Sequence, residues 1–259
     1  MEEINFSLIE ELIAETKTAF AEAGKLGDKH VEVKELNDIV TDVDLFMEKR
    51  ITSFIEKKFP EHSVYSEEKV SDEKNSEYLW LVDPIDGTIN FAAGIPLFAT
   101  SIALKRNEEI LLGIVFDWGA NKVYYAIRGK GAFCDGEPIH VAENKMLKDS
   151  IVSFCLTSHY TEEEIERVLD VEKRLADKVR GLRLIVSSAI ELVWCASGKT
   201  DGCVNIKPSI RLSSSAGILL VEEAGGKVSN VLGAERAHSD TMLATNGLIH
   251  DEIVGILNK

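Results

Sequence analysis

Two aspartates directly follow an apolar segment in the first half of the chain. The segment and its continuation, residues 79–88, read LWLVDPIDGT. Pro84 fixes its own φ angle and biases Asp83 toward extended backbone, so Asp83 and Asp86 lie three residues apart across one rigid turn. Carboxylates held in this way can converge on one hard cation. The N–H groups of Gly87 and Thr88 then face an anion, and a helix beginning there would strengthen that preference.

The residues before this turn decide how it is interpreted. By itself, the pentapeptide 83–87 is more typical of a solvated surface turn, since Asp-Pro and Asp-Gly are common turn pairs. Leu79 to Val82, however, form a short continuous apolar run, which predicts a strand covered on both faces. A buried strand that leads into two carboxylates, a glycine and a hydroxyl predicts a polar site at its carboxyl end.

The composition and charge restrict the class of protein. A chain of 259 residues can form one large domain or two compact halves, and a core of this size needs no disulfide. The net charge of −15 argues against nucleic acid and anionic membranes as partners, and an acidic protein needs cations to bind a phosphorylated substrate. The four isolated cysteines favour reduced, buried thiols. Without a signal-peptide pattern or a membrane-spanning apolar run, we expect a cytoplasmic protein.

The first half of the chain predicts a mixed α+β unit. Apolar residues recur at helical spacing from Phe6 to about Ala23, and a second amphipathic helix follows Ile39 to Asp44 and ends at Pro60. The segment between them, 25–38, is interpreted as a loop or a weak hairpin. After Phe91 the pattern changes to strands separated by tight turns, which predicts an antiparallel meander. These strands are Ala99 to Lys105, Ile110 to Phe116 and Lys122 to Ile127.

The second half predicts alternating strands and helices, and therefore an α/β unit packed on the first half. The predicted strands are Ser150 to Leu156, Leu182 to Val186, Asp201 to Ile206 and Thr241 to Ala244. The predicted helices begin at a capping box over Thr161 to Glu164, at Ala189, at about Ser214 and near Ile249. Because the apolar density falls around 140–149, we divide the chain into a domain 1–140, which carries the turn, and a domain 141–259, which completes the site.

Further acidic positions have ordinary structural interpretations. Asp42 or Asp44, at the start of the second helix, is typical of a helix N-cap. Glu67 and Glu68 follow a short apolar step and are typical of an acidic surface loop. From the residues alone, these interpretations stay open beside a role in the site.

Four motifs together resemble the inositol monophosphatase family, which includes archaeal fructose-1,6-bisphosphatases and 3′-phosphoadenosine phosphatases. They are the strand and turn over 79–91, V-T-x-x-D at 40–44, E-E at 67–68 with Ser66 in place of the usual glycine, and E-A-G-G at 223–226. The resemblance implies a combined α+β and α/β fold, a layered αβαβα sandwich of the sugar-phosphatase type. It also implies a flap at 25–38 over the metals and, by analogy alone, a homodimer.

The resemblance assigns roles to individual residues. The implied metal ligands are Glu67, Asp83, the Ile85 carbonyl and Asp86. Such an all-oxygen set favours two or three Mg²⁺ ions, or Mn²⁺, over zinc. Glu67 would bridge ions, and Asp44 would lie beside the third ion and the attacking water. Thr88 would pass the proton of that water toward Asp44, while the phosphate rests on Asp86, Gly87 and Thr88.

The chain departs from the family at the second signature. There W-D-x-A-A-G usually precedes a helix, and its aspartate binds the second metal. Counting back from Ala216-Gly217 places Ser213 at the aspartate position, and a neutral hydroxyl is a far weaker magnesium ligand than a carboxylate. Three explanations are open: a weakened, water-bridged second site, a catalytically poor relative with a phosphate pocket, or substitution by another carboxylate. Glu222 and Glu223 are poor substitutes because they follow about 13–15 Å further along the helix, at 1.5 Å per residue.

Substrate choice is expected to come from the second half. Arg183, Ser188 and Arg211 flank predicted strand ends near the family's sugar or second-phosphate contacts, and arginine suits bidentate phosphate recognition. Each is also typical of a surface salt bridge or a turn. Two arginines within reach would favour a bisphosphate such as fructose 1,6-bisphosphate, and a single one would suit myo-inositol 1-phosphate.

We therefore predict a Mg²⁺-dependent phosphomonoesterase that acts on inositol monophosphate, fructose 1,6-bisphosphate or both. The substrate is expected to be a small phosphorylated sugar or polyol, without nucleic acid or membrane partners. Two alternatives stay open. One is a catalytically impaired phosphate-binding or regulatory relative, and the other is a 3′-phosphoadenosine 5′-phosphate phosphatase.

Overall fold

Helices and strands alternate along the chain in the computed structural model. It describes residues 4–25, 31–35, 38–67, 76–155, 161–206, 211–234 and 241–258, except for the side chains of 31–35, 38, 39 and 211. The helices are α1 (Phe6–Ala23), α2 (Asp42–Lys58), α3 (Thr88–Ala92), α4 (Glu162–Ala176), α5 (Ser188–Ala196), α6 (Arg211–Glu223) and α7 (His250–Leu257). The strands are β1 (Val31–Glu35), β2 (Asp38–Thr41), β3 (Ser63–Ser66), β4 (Tyr78–Asp86), β5 (Ala99–Arg106), β6 (Glu109–Asp117), β7 (Lys122–Ile127), β8 (Ala132–Cys134), β9 (Glu137–Pro138), β10 (Ile151–Cys155), β11 (Gly181–Leu184), β12 (Gly202–Asn205), β13 (Lys227–Ser229) and β14 (Met242–Thr245). Within these ranges, no helix is long and apolar enough to cross a membrane.

The strands form two large sheets and one hairpin. The first sheet has the order β3-β4-β5-β6-β7-β8-β9, in which β3 pairs with β4 in parallel and every later pair is antiparallel. This confirms the predicted meander. The second sheet has the order β11-β10-β12-β14-β13, parallel across β11, β10 and β12 and antiparallel beyond them. The hairpin β1-β2 begins in the segment 25–38, which was interpreted as a loop or weak hairpin, but its second strand extends beyond that segment to Thr41.

Five layers follow from which faces of the sheets are buried. On β4, Trp80 and Val82 belong to the core shared with α1 and α2, while Leu81 belongs to the core shared with α5 and α6. Successive strand residues point to opposite faces, so β4 is covered on both sides, as its continuous apolar run predicts. Helices α5 and α6 also cover the second sheet, and α4 and α7 pack on its other face. The molecule is a layered αβαβα sandwich, as predicted.

The central helix layer lies very close to the first sheet. A Cβ atom added to Gly113 on β6 would lie 2.7 Å from the Ala216 carbonyl oxygen on α6, which no side chain tolerates. Glycine at this position therefore lets α6 cross the sheet in direct backbone contact. As a result, the first turn of α6 is brought up to the strands that lead to the predicted site.

Three boundary predictions are wrong in ways that matter for the site. Strand β4 does not end at Val82 but continues to Asp86. Its pairing with β5 is irregular between Asp83 and Asp86, so Pro84, which has no N–H group, removes no hydrogen bond between the two strands. Helix α6 begins at Arg211, earlier than predicted, so Ser213 lies in its first turn. The N-cap of α2 is Thr41, whereas Asp44 is the third helical residue of a capping box.

A buried histidine links the last two strands to the last helix. The side chain of His250 is 0% exposed, with Nε2 2.8 Å from Ser229 Oγ and Nδ1 2.9 Å from Thr245 Oγ1. Ser229 donates its own proton to the Asn230 carbonyl. Thr245 Oγ1 already accepts the Gly247 N–H, so its proton is free for Nδ1, and the neutral ring carries its proton on Nε2. Burial lowers the pKa of His250 to about 4.

We expect acid to destabilise the fold through His250. Because its pKa is about 4 in the folded protein and about 6.5 in the unfolded chain, the unfolded chain binds the proton first as the pH falls. The stabilisation is complete above pH 6.5 and is lost toward pH 4, by roughly 3 kcal/mol in the free energy of unfolding. Urea unfolding at neutral pH and near the folded pKa measures this loss. Over the same fall in pH, His250→Gln should lose distinctly less free energy of unfolding than the wild type. Equal losses would show that His250 is not the group responsible.

Candidate metal and phosphate site

The polar turn lies where β4 passes into the short helix α3. Gly87 is the N-cap of α3 and has a φ angle of 88°, in the left-handed region that favours glycine. A Cβ there would lie 3.0 Å from the Leu97 carbonyl oxygen and 3.3 Å from the Val186 carbonyl oxygen. Glycine is therefore required both by the backbone angle and by the close approach of two other segments. The N–H groups of the first turn of α3 have no acceptor within the helix and are available to an anion.

Thr88 connects this turn to the start of α2. Its hydroxyl lies 2.8 Å from the Ile85 carbonyl oxygen and 3.2 Å from Asp44 Oδ1. The other Asp44 oxygen accepts hydrogen bonds from the N–H and hydroxyl of Thr41. Burial raises the pKa of Asp44, and the bonds from Thr41 and Thr88 offset part of that rise. Asp44 is thus the third helical residue of the capping box and also contacts the turn through Thr88.

Asp83 is a buried carboxylate with an unused oxygen. The residue is 7% exposed, and Oδ1 has no hydrogen-bond partner within the described part of the chain. Burial raises the pKa of Asp83 well above its usual range, and the charges of Asp86, Glu67 and Asp44 raise it further. These carboxylates therefore lie within electrostatic reach of one another. Glu67, at the end of β3, is exposed to solvent.

Asp86 is oriented by the N-terminus of α5, which belongs to the second half of the chain. Its Oδ2 accepts the Ser187 hydroxyl at 2.6 Å and the Ala189 N–H at 2.8 Å. Burial raises the pKa of Asp86 to about 6, while hydrogen bonds from Ser187, Ala189 and Ser188 act in the opposite direction. One oxygen is thus committed to α5, and the other can serve a ligand.

The donor set fits a magnesium-like cation that keeps part of its water shell. A buried carboxylate oxygen without a partner is costly, and a cation beside Asp83 would compensate its charge. Oxygen donors from Asp83, Asp86, Glu67 and the Ile85 carbonyl suit Mg²⁺. Within the described ranges, no three acidic, histidine or cysteine side chains lie close enough together to hold a metal ion by themselves. Water and phosphate oxygens would therefore complete the shell.

The opposite wall of the site is neutral. Ser213 Oγ lies 2.8 Å from Ser188 Oγ, and the two residues are 4% and 5% exposed, respectively. Ser213 is the residue at which the resemblance leads one to expect a carboxylate. Glu222 and Glu223 do not replace it, because they bind Arg128 and the N–H groups of Gly129 and Gly131 at the β7–β8 turn. The exclusion of these two glutamates from the site is confirmed.

Three further residues were singled out from the sequence. Arg183 is exposed on β11, and its Nη1 donates to the Leu182 carbonyl at 2.8 Å. The Arg211 side chain and Glu68 lie outside the described residues. The role of the two arginines in substrate binding stays a prediction. The structure brings together Asp44, Glu67, Asp83, Ile85, Asp86, Gly87, Thr88 and, through its hydrogen bond to Asp86, Ser188.

The sequence analysis missed the segment that supports Asp86. Asn90 on α3 donates from Nδ2 to the carbonyls of Leu97 and Ile185, each at 2.8 Å, and so fastens the turn to the 185–187 segment. Val186 has a φ angle of 63°, a strained conformation for a β-branched residue. Ser187 is the N-cap of α5. A serine just before a predicted helix is a recognised N-cap signal, so Ser187 was within reach of the sequence.

Comparisons with known proteins find a matching family, related sequences and similar folds. A model of the inositol monophosphatase family matches residues 1–258. The fructose-1,6-bisphosphatase/inositol-1-monophosphatase of Thermotoga maritima is 38% identical over 225 residues, which cover 86% of this chain and 83% of the relative. The extragenic suppressor protein suhB of Bartonella henselae aligns with a TM-score of 0.88 at 26% identity, covering 97% of this chain and 99% of that one. An IMPase/NADP phosphatase complexed with Mg²⁺ and phosphate aligns with a TM-score of 0.83 at 27% identity, covering 97% and 95%.

Proposed function

The chain belongs to the inositol monophosphatase family of phosphoric monoester hydrolases, and we propose that it hydrolyses a small sugar or polyol phosphate with Mg²⁺ held at the turn 83–88. Inositol monophosphate and fructose 1,6-bisphosphate are the proposed substrates, because a relative that is 38% identical is named for both activities. The observation that carries the proposal is the buried Asp83 oxygen without a partner, beside the charges of Asp86 and Glu67.

Each residue of the turn has a proposed task in this reaction. Asp83, Asp86, Glu67 and the Ile85 carbonyl would hold the cation. When bound, the cation would lower the pKa of a coordinated water and offset charge on the phosphate. The N–H groups of Gly87 and Thr88 would bind phosphate oxygens at the first turn of α3.

Thr88 and Asp44 are proposed to handle the proton of the attacking water. The Thr88 hydroxyl lies 2.8 Å from the Ile85 carbonyl oxygen and 3.2 Å from Asp44 Oδ1, so it would turn toward Asp44, accept the proton of the water on its oxygen and pass its own proton to Asp44. Burial raises the pKa of Asp44, which makes this carboxylate a better proton acceptor than an exposed aspartate. A covalent phosphoenzyme is not required.

The neutral wall at Ser213 supports a weakened second cation site. The Ser188–Ser213 pair offers hydroxyl oxygens, which bind Mg²⁺ far more weakly than a carboxylate does. The proposed number of ions therefore ranges from one tightly held ion to two or three at high concentration, with Mn²⁺ as an alternative. A phosphate-binding or regulatory role without turnover is the second candidate, and the same hydroxyl pair is the observation that favours it.

Removal of divalent cations tests the proposal directly. Phosphate release should be measured with myo-inositol 1-phosphate, fructose 1,6-bisphosphate, 3′-phosphoadenosine 5′-phosphate and NADP⁺, before and after EDTA. We expect release from at least one of the first two esters, a loss of about 100-fold or more in EDTA, and recovery with excess Mg²⁺. Full activity in EDTA would contradict the proposal. Turnover of only the third or fourth compound would move the substrate assignment to a nucleotide.

Two further properties are part of the proposal. A cytoplasmic location is proposed because the four cysteines are free thiols, as is usual in a reducing compartment. A homodimer is proposed by analogy with the family alone. Sedimentation of the purified protein would measure its oligomeric state.

A further inference from the structure

We propose that Glu191 is a positioning residue for Asp86, acting through the turn formed by Ile185, Val186 and Ser187. Its buried carboxyl would hold one side of this turn, and the other side of the turn presents the groups that orient Asp86. The inference rests on the proposed function, in which Asp86 is a cation ligand. It assigns a task to a residue that has no contact with the proposed substrate.

The surroundings of Glu191 are unusual for a carboxyl group. The residue lies on α5, is 0% exposed and is enclosed by the apolar core between the two sheets. Oε2 accepts the Cys203 thiol at 3.3 Å, whereas Oε1 has no geometric hydrogen-bond partner in the described ranges. Burial raises the pKa of this carboxyl to about 8, and the nearby N–H groups of Ile185 and Val186 act in the opposite direction. An apolar side chain would be buried here at a lower cost in free energy, so the presence of a carboxyl group requires an explanation.

The 185–187 turn supplies that reason. Val186 adopts a φ angle of 63°, which costs a non-glycine residue about 1–3 kcal/mol and persists only where neighbouring groups hold it. A left-handed residue within a turn directs successive N–H groups to one side and leaves them without backbone acceptors. Glu191 lies one helical turn further on, where its N–H donates to the Ser187 carbonyl at 3.0 Å, and its carboxyl is near enough to the N–H groups of Ile185 and Val186 for them to lower its pKa. It thereby supports the strained conformation from the core side.

The other side of the same turn faces the metal site. The Val186 carbonyl and the Ser187 side chain approach Gly87 so closely that a Cβ on Gly87 would lie 3.3 Å from each. The Ser187 hydroxyl and the Ala189 N–H bind Asp86 Oδ2. If Val186 relaxed toward an ordinary backbone angle, these two donors would move and Asp86 would lose its orientation. A chain of contacts thus runs from Glu191 in the core through Val186 to Asp86 and the proposed cation.

Cation affinity is the readout that separates positioning from simple stability. Mn²⁺ binding to the full chain should be measured by calorimetry for wild type, Glu191→Ala, Glu191→Gln and Leu192→Ala. Loss of a supporting partner outside the ligand set commonly weakens metal binding 10–100-fold, so we expect about tenfold for Glu191→Ala. Glu191→Gln keeps the size and an acceptor and should stay within about twofold. Leu192→Ala truncates the adjacent buried residue of α5 and should lower the thermal midpoint without changing affinity.

Coupling to Val186 gives a second test. Glycine tolerates the φ angle of 63°, so Val186→Gly removes the need for support. In that background, Glu191→Ala should cost less cation affinity than it does in the wild type. Equal costs in both backgrounds, or a folded Glu191→Ala that binds Mn²⁺ as tightly as the wild type, would overturn the proposal.

Amide hydrogen exchange in the metal-free protein keeps this test independent of the proposed function. The Ala189 N–H is bonded to Asp86, so Glu191→Ala should accelerate its exchange more than Leu192→Ala does. If Asp86→Asn leaves Mn²⁺ binding unchanged, the proposed function fails, whatever the exchange data show. If Ala189 exchanges equally in both α5 variants, the positioning role fails, even where Asp86 proves to be a ligand.

Discussion

Asp86→Asn is expected to weaken divalent cation binding by about 100-fold or more and to reduce phosphate release to background. The amide keeps the shape of the carboxylate. Its oxygen can still accept the Ser187 hydroxyl and the Ala189 N–H, so its NH₂ group would occupy the position that faces the ligand. An amide nitrogen does not bind Mg²⁺, and the negative charge is also lost. Calorimetric Mg²⁺ titration and phosphate release measure both effects.

The same substitution should stabilise the metal-free protein. Because burial raises the pKa of Asp86 to about 6 in the folded state, against about 3.9 in the unfolded chain, the carboxylate destabilises the fold as the pH rises through this window. At neutral pH the asparagine variant should gain about 2 kcal/mol in the absence of cations. The opposite signs of the two effects exclude simple unfolding as the cause of lost activity.

Asp117→Asn is the matched control for this experiment. Asp117 is also a buried carboxylate, 4% exposed at the end of β6, and it accepts the Ala120 N–H through an oxygen that asparagine retains. Its variant should keep the wild-type cation affinity and turnover. If Asp86→Asn also retained them, Asp86 would not be a ligand, and the proposed reaction would lose its main support.

Ser213→Asp is expected to increase cation affinity about tenfold or more, because it adds a charged oxygen beside Ser188, opposite the turn. Turnover at low Mg²⁺ should rise with it. In the metal-free protein, the new carboxylate would be buried beside Ser188 without compensation of its charge by a cation, so stability should fall by about 1–3 kcal/mol. The increase in thermal midpoint on adding Mg²⁺ should therefore be larger in this variant than in the wild type.

Ser213→Asn separates charge from size. It is as large as the aspartate variant but neutral, so its cation affinity should remain at the wild-type level or below. Equal affinities for the aspartate and asparagine variants would show that this wall does not face the cation. If neither the wild type nor the aspartate variant releases phosphate while both bind it, the regulatory phosphate-binding role becomes the better description of the protein.

Local patterns in the sequence predict much of the fold. The apolar run from Leu79 to Val82 predicts a strand buried on both faces, and β4 is buried on both faces. The strand from Lys122 to Ile127 and the capping box at Thr161 occur at the predicted residues. These features depend on the alternation of side chains and on hydrogen bonds within a few residues, which are properties of the sequence itself. The predicted end of β4 was wrong because a proline in a bulge does not stop a strand.

The candidate site was predictable only in part. The spacing of Asp83 and Asp86 indicates a cation turn, and Thr88 is the next hydroxyl along the chain. That Thr88 contacts Asp44, 44 residues away, could be inferred only through the family resemblance. Nothing in the local pattern around Val186 or Glu191 predicts a strained turn above a buried carboxyl. In the sequence, Val186 is typical of a strand and Glu191 is typical of a helix. Their special surroundings arise only when the two sheets pack around α5.

The turn 83–88 illustrates the division between local and tertiary information. The sequence by itself determined the residue types and their spacing, because Pro84 and Gly87 restrict the backbone wherever they occur. Only the tertiary structure decided which oxygens are free. Asp86 is held by Ser187, 101 residues further along the chain, and Ser213 is paired with Ser188. Contacts between distant segments depend on how the helix layer packs between two sheets, and short-range patterns carry no information about that packing.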